Sequence, residues 1–227
     1  MLSAIVLSLA MLTGADKAEP INNSNYQPTP IVQTIPTHQD SLDLMVEKYQ
    51  SGRAANKDHN YEEAIELFNE SLELYHKIGE GNTEMKSLLH EKLGNTYLDL
   101  EEYDKAVIEH EEALKAAPYK LINSNNLAYA LAKNNQDLDY AEKLATLYTQ
   151  IEPNIGEGFG TLGLIKFMQK DYEQAEILIQ KGLQLIPESR TESKILNYET
   201  LIDIYQATGN VEKQQDCQMN LDLLYQQ

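Results

Sequence analysis

Three patterns of apolar and polar residues follow one another along the chain. Leu2 to Leu12 reads LSAIVLSLAML, eleven residues without a charge. Residues 16–40 hold Pro20, Pro28, Pro30 and Pro36 among Asn, Thr and Gln, and no apolar periodicity survives there. Order is expected to begin near Asp40-Ser41, a helix-capping pair. Beyond it the pattern repeats. Pro118, Pro153 and Pro187 stand 35 and 34 residues apart, and an alanine precedes each by twelve residues: Ala106, Ala141 and Ala175. Proline lacks an N–H and disfavours helix in the residue before it, so each proline marks a helix end.

A period of about 34 residues, two helices and a closing proline, resembles the tetratricopeptide repeat. The resemblance covers about 180 of the 227 residues. It implies an all-α fold, a right-handed superhelical solenoid of about five helical hairpins over residues 41–227, preceded by a disordered segment. In such hairpins small residues stand near positions 8, 20 and 27, with large apolar residues between them. The second repeat, about 87–120, fits best, with Leu93, Gly94, Tyr97, Tyr103, Ala106, Ala113 and Pro118. The first, about 45–78, has Gly52, Ala55, Tyr61, Ala64 and Phe68, departs at Ser71 and lacks the proline, so its second helix is expected to run to Ile78. The third, about 122–155, puts Tyr129 where a small residue belongs, which predicts a slightly splayed hairpin. The fourth spans about 156–189. The fifth, about 195–227, has a polar last helix suited to a terminal cap.

Charge narrows the partner class. Eighteen basic residues face 36 acidic ones, a formal charge of −18, which disfavours nucleic acid and anionic lipid surfaces. Cys217 is the only cysteine, so no intrachain disulfide forms. Leu2–Leu12 is too short to span a bilayer but suits the core of a secretory signal, with Thr13 and Ala15 as the small residues of a cleavage site. No Lys or Arg precedes it, and Ala15 stands where a lipoprotein signal needs a cysteine. The expectation is a bacterial protein with a signal over residues 1–15 and a linker over 16–40. It would be periplasmic or secreted, with a cytoplasmic place as the alternative, and not inserted in a membrane once the signal is removed.

Candidate chemistry is sparse. Gly158 to Gly163 matches G-x-G-x-x-G, but a dinucleotide loop must follow a strand, and here the glycines sit in the register of repeat four. Three glycines between 156 and 160 predict a loose helix start. His90-Glu91 and His110-Glu111 open like zinc-protease helices, yet Gly94 and Leu114 stand where the second histidine belongs. No catalytic residue, cofactor or metal is expected. The resemblance instead implies a non-catalytic scaffold or assembly adaptor that binds another protein or a peptide on the concave side. Its groove positions fall on Tyr49, Arg53, Glu91, Asn95, Asn123, Asn126, Lys133, Leu164, Phe167 and Met168, polar at one end and apolar at the other. Glu91 stands where carboxylate-clamping members carry lysine, so neutral or basic peptides suit the groove better. The alternative is self-assembly into a homo-oligomer through the terminal repeats.

Overall fold

A computed structural model describes residues 37–226, Glu80 apart. The described residues belong to one unit made of ten helices. The expected leader, and the linker up to residue 36, lie outside the described residues. Helix α1 (His38–Lys57) starts earlier than Asp40-Ser41 suggests, because Thr37 caps it. The Thr37 hydroxyl accepts from Asp40 N at 3.1 Å, and the Asp40 carboxylate accepts from Thr37 N at 2.8 Å, a reciprocal capping box.

The helices pair in sequence. Helix α1 packs on α2 (Tyr61–Ile78) and α3 (Thr83–Asp99) on α4 (Tyr103–Ala116). Likewise α5 (Leu121–Lys133) packs on α6 (Leu138–Ile151), α7 (Gly156–Met168) on α8 (Tyr172–Leu185), and α9 (Thr191–Thr208) on α10 (Val211–Leu224). Pro118, Pro153 and Pro187 each follow the end of a second helix. Helix α2 has no such proline and runs to Ile78, where Gly79 turns the chain at φ +91°. Small residues set the closeness of each pair: a side chain on Gly52 would meet Phe68, one on Gly94 would meet His110, and one on Gly163 would meet Ile179. Ser71, a polar departure in repeat one, is fully buried and donates to the Met45 carbonyl at 2.8 Å.

The turns inside the hairpins share one geometry. His59, Glu101, Asn135, Lys170 and Gly209 all take positive φ. The next residue's N–H bonds five residues back, to Ala55, Tyr97, Leu131, Lys166 and Tyr205, each at 2.9 Å, as Schellman ends do. In four hairpins the second helix starts two residues after the left-handed one. In the third it starts one later, because Asp137 inserts with φ +40°. This insertion corrects the expectation for Tyr129. Gly52, Gly94 and Gly163 precede their left-handed residues by seven, and seven before Asn135 is Ala128. Ala128 is fully buried in the same core cluster as Ala145, so the small position is filled and Tyr129 turns to another face.

Apolar clusters fill the array. Tyr49, Phe68, Leu89 and Leu93 belong to the first, Ala106, Leu127, Leu131 and Ile165 to the second, and Ile179, Leu201, Ile204 and Tyr205 to the third. Tyr97 packs against both of the first two and joins them. The last helix is less uniformly polar than its glutamines suggest, since Val211, Met219 and Leu223 lie exposed along it.

Candidate functional site

The first helices of the hairpins approach one another backbone to backbone in succession, α1 to α3, α3 to α5, α5 to α7 and α7 to α9, whereas the second helices do not, and α8 and α10 meet only through the Lys213–Glu176 ion pair at 2.6 Å. Elements that approach on one side and spread on the other produce curvature, so the first helices line the inner face.

The inserted Asp137 shifts which α5 residues belong to that face. The expected Asn123 is a correction. It is 1% exposed, and its amide nitrogen donates to Ser87 Oγ at 2.9 Å and to the Ala113 and Ala117 carbonyls at 3.0 and 3.1 Å. It ties α5 to α3 and to the end of α4. In the corrected register the inner stripe of α5 is Asn125, Tyr129 and Lys133, and Asn126 stands one residue off it, half-buried. Lys133 remains, exposed, its Nζ 5.4 Å from the Tyr103 ring centre. Tyr49 is a second correction. It is buried in the first core cluster, tilted against Phe68 at 6.1 Å, with the exposed Arg53 guanidinium 5.7 Å from its ring.

The remaining expected residues divide by end. Glu91 and Asn95 are half-buried on α3, and Glu91 accepts from Lys92 at 3.0 Å. Leu164, Phe167 and Met168 are half-buried on α7. Leu164 packs on the middle core, and Phe167 tilts against Tyr172 at 5.9 Å. Phe167 and Leu164 are thus partly spent on packing, and part of each remains open to a ligand.

Further residues link the first helices. Thr96 donates to Asn56 at 2.7 Å, joining α1 and α3. Asp99 is exposed, and partial desolvation followed by the Glu192 charge holds its carboxyl above the ordinary pKa, with Asn56 and His59 opposing. The Tyr129 phenol is pushed up by burial, with Tyr103, Glu199 and Asp99 adding to the effect. Asp203 is raised by burial, with Lys133 opposing. Residues from α3, α5 and α9 therefore feel each other's charge across the inner face. The signal for the shift was the polar run 134–137, where Asn135 and Asp137 take positive φ, because Asn and Asp tolerate positive φ more readily than other non-glycine residues.

The glycine motif lies inside α7. Side chains on Gly158, Gly160 and Gly163 would run into Tyr148, Asn197 and Ile179 respectively. The expected loose start is instead a packed one, with Gly156 and Gly182 backbone to backbone. Cys217 is buried on α10, and burial raises its thiol pKa, away from the reactive thiolate. Among the described residues no helix is long and apolar enough to cross a membrane.

The family pattern for the tetratricopeptide repeat matches residues 44–118, covering α1 to α4. Over 91 residues the chain is 33% identical to the heat-shock protein cognate (HSC) co-chaperone sgt12 of Aspergillus fumigatus, covering 40% of this chain and 26% of that protein. Over 120 residues it is 28% identical to small glutamine-rich tetratricopeptide repeat-containing protein 2 of Saccharomyces cerevisiae, covering 53% and 34%. The chain thus spans about a quarter to a third of the length of these relatives. MamA 41-end from Desulfovibrio magneticus is similar in structure, with a TM-score of 0.55 at 17% identity over 81% of this chain and 96% of that one. YrrB, a TPR protein with an unusual peptide-binding site, has a TM-score of 0.51 at 20% identity over 66% and 75%. The fold is a tetratricopeptide-type helical solenoid, and the family pattern matches its first two hairpins.

Proposed function

We propose that the chain is a non-catalytic adaptor that holds a partner protein or an extended peptide against the inner face of α1, α3, α5, α7 and α9. The observation that carries this reading is the division of that face. Amide and charged groups stand toward Asn95 and Tyr129, and half-buried apolar groups toward Leu164 and Met168. Amide side chains both donate and accept, as an extended backbone requires, and a half-buried apolar cluster suits a partner's apolar side chain. Tetratricopeptide repeats generally mediate protein–protein interaction, and the peptide-binding site named for YrrB is in keeping with that. The leader-like run Leu2–Leu12 supports a place outside the cytoplasm of a bacterium.

A second reading is favoured by α10, where Val211, Met219 and Leu223 are about 60% exposed on the last helix of the array. It makes the protein self-assembling through its terminal repeat. Paired variants separate the two. Leu164→Glu should abolish capture of the co-purifying partner while helicity stays intact, and Met219→Glu should leave capture unchanged. A dimer in light scattering that Met219→Glu dissociates, with capture indifferent to Leu164→Glu, would favour self-assembly instead.

A further inference from the structure

Each internal second helix is covered by the first helix of the next hairpin, α2 by α3, α4 by α5, α6 by α7 and α8 by α9. Helix α10 is the exception among the described residues, with only α9 against its backbone. Helices α8 and α10 are both 14 residues long and start at Tyr172 and Val211, so equivalent residues stand 39 apart. The covered side of α8 therefore has a counterpart on α10. Tyr172 and Leu183 pack on the third core cluster, Ile179 is fully buried in it, and Gln180 donates to the Tyr205 hydroxyl of α9 at 3.4 Å. Ile186 is buried as well. Their counterparts are Val211, Asp222, Gln218, Met219 and Tyr225. All five are exposed, and Val211, Met219 and Tyr225 by 60% or more. Val211, Gln215, Met219 and Leu223 stand four apart and form one ridge along the helix, apolar at three of its four places. Glu212 and Asp216 line one flank of that ridge and Asp222 the other. The only cation on α10, Lys213, is turned away into its ion pair with Glu176. Asp222, where the fourth hairpin has Leu183, accepts from the Gln218 amide at 2.9 Å and has no lysine or arginine paired with it among the described residues.

We infer that α10 docks a basic amphipathic helix of another protein, laid over it as α9 is laid over α8. The apolar side of that helix covers Val211, Met219 and Tyr225, and its lysines or arginines meet Asp222 on one flank and Glu212 and Asp216 on the other. An amphipathic helix seated by its apolar stripe is a common mode of recognition, and here the place for it is already set by four copies of the same packing within the array. Charge selects the occupant. A second copy of this chain is opposed, because α10 against α10 would set the same three carboxylates face to face. Lysine and arginine stems also pack on apolar surface while their heads stay polar, which suits a ridge with acidic flanks. The formal charge of −18 draws a basic partner from a distance. This site is separate from the inner face and stands whether or not that face binds a ligand.

Hydrogen exchange and titration of the full chain at physiological salt, with a synthetic amphipathic helix of leucine and lysine and with its leucine–glutamate twin, test the inference. The lysine peptide should add protection in α9 and α10, and the glutamate twin should add none. Met219→Ser should weaken the lysine peptide about tenfold, through the lost apolar contact. The E212K/D216K/D222K triple variant should weaken it at least as much and should now bind the glutamate twin. E62K/E63K/E66K, the same charge change on the exposed side of α2, should alter binding less than about twofold, as distant screened charges do. Equal weakening by the two triple variants, protection away from α9 and α10, or no binding of the lysine peptide would overturn the inference. So would a dimer in light scattering that Met219→Glu dissociates, since a second copy would then be the occupant. Each of these results leaves the adaptor reading to its own test with Leu164→Glu.

Discussion

Gly156→Ala should melt several degrees below the parent, although alanine is the better helix former. Gly156 is the first residue of α7, and a β-carbon there would run into the Gly182 carbonyl oxygen and come within 2.8 Å of Ile186 N. Those two atoms form the closing hydrogen bond of α8, at 2.9 Å. The gain in helix propensity is about 1 kcal/mol at most. Overpacking costs about 1–3 kcal/mol where side chains can yield, and more where only backbone faces the intruding atom. The clash therefore wins, and α7 must move away from α8. Gly81→Ala is the control, since only the Gly79 carbonyl lies nearby, at 3.8 Å. Thermal denaturation of both variants checks this, and equal melting temperatures would contradict the close α7–α8 contact.

Acid should weaken the fold well above the range of ordinary carboxylates. His110 is fully buried on α4, against Gly94, with neither ring nitrogen hydrogen-bonded. It occupies the place held by Phe68 in the first hairpin and Ile179 in the fourth. Burial, assisted by Lys92, lowers its pKa from 6.5 to about 4. The unfolded chain therefore binds a proton between those values that the folded chain refuses. Stability attributable to neutral His110 is complete above about pH 6.5 and is lost as the pH falls toward 4. The slope is about 1.4 kcal/mol per pH unit, so about 2 kcal/mol disappears between pH 6.5 and 5. In urea titrations His110→Leu should flatten this window. It should also be no less stable at pH 7, because an unpaired buried imidazole is exchanged for an apolar group. An unchanged slope in that variant would show that His110 is solvated or paired.

Much of the architecture was legible because its signals are steric. A proline cannot continue a helix, and Ala106, Ala141 and Ala175 stand where neighbouring helices leave room only for a methyl group; all three are fully buried. Gly52, Gly94 and Gly163 are readable for the same reason. The site was less legible because it depends on register to a single residue. Counting at a constant offset from the prolines passes over the extra residue in the turn of the third hairpin. Asn134, Asn135, Gln136 and Asp137 look like any polar turn, and only the left-handed φ of both Asn135 and Asp137 reveals the insertion. One residue of slip put Asn126 where Asn125 belongs and Asn123 where Ile122 belongs. Asn123 then proved to be a brace between helices rather than a ligand contact. The residues of α9 were harder still. Glu192 and Glu199 lie three and two repeats away in sequence from the Asp99 and Tyr129 they influence, and only the curvature of the array brings them together.

The central claim is that the partner lies on the inner face. Hydrogen exchange of the chain with and without its co-purifying partner tests it most directly. Binding on the inner face predicts new protection in peptides from α3, α5 and α7, around Asn95, Tyr129 and Leu164, with α2, α6 and α10 unchanged. Protection confined to α6 or α10, with the first helices exchanging as before, would contradict it.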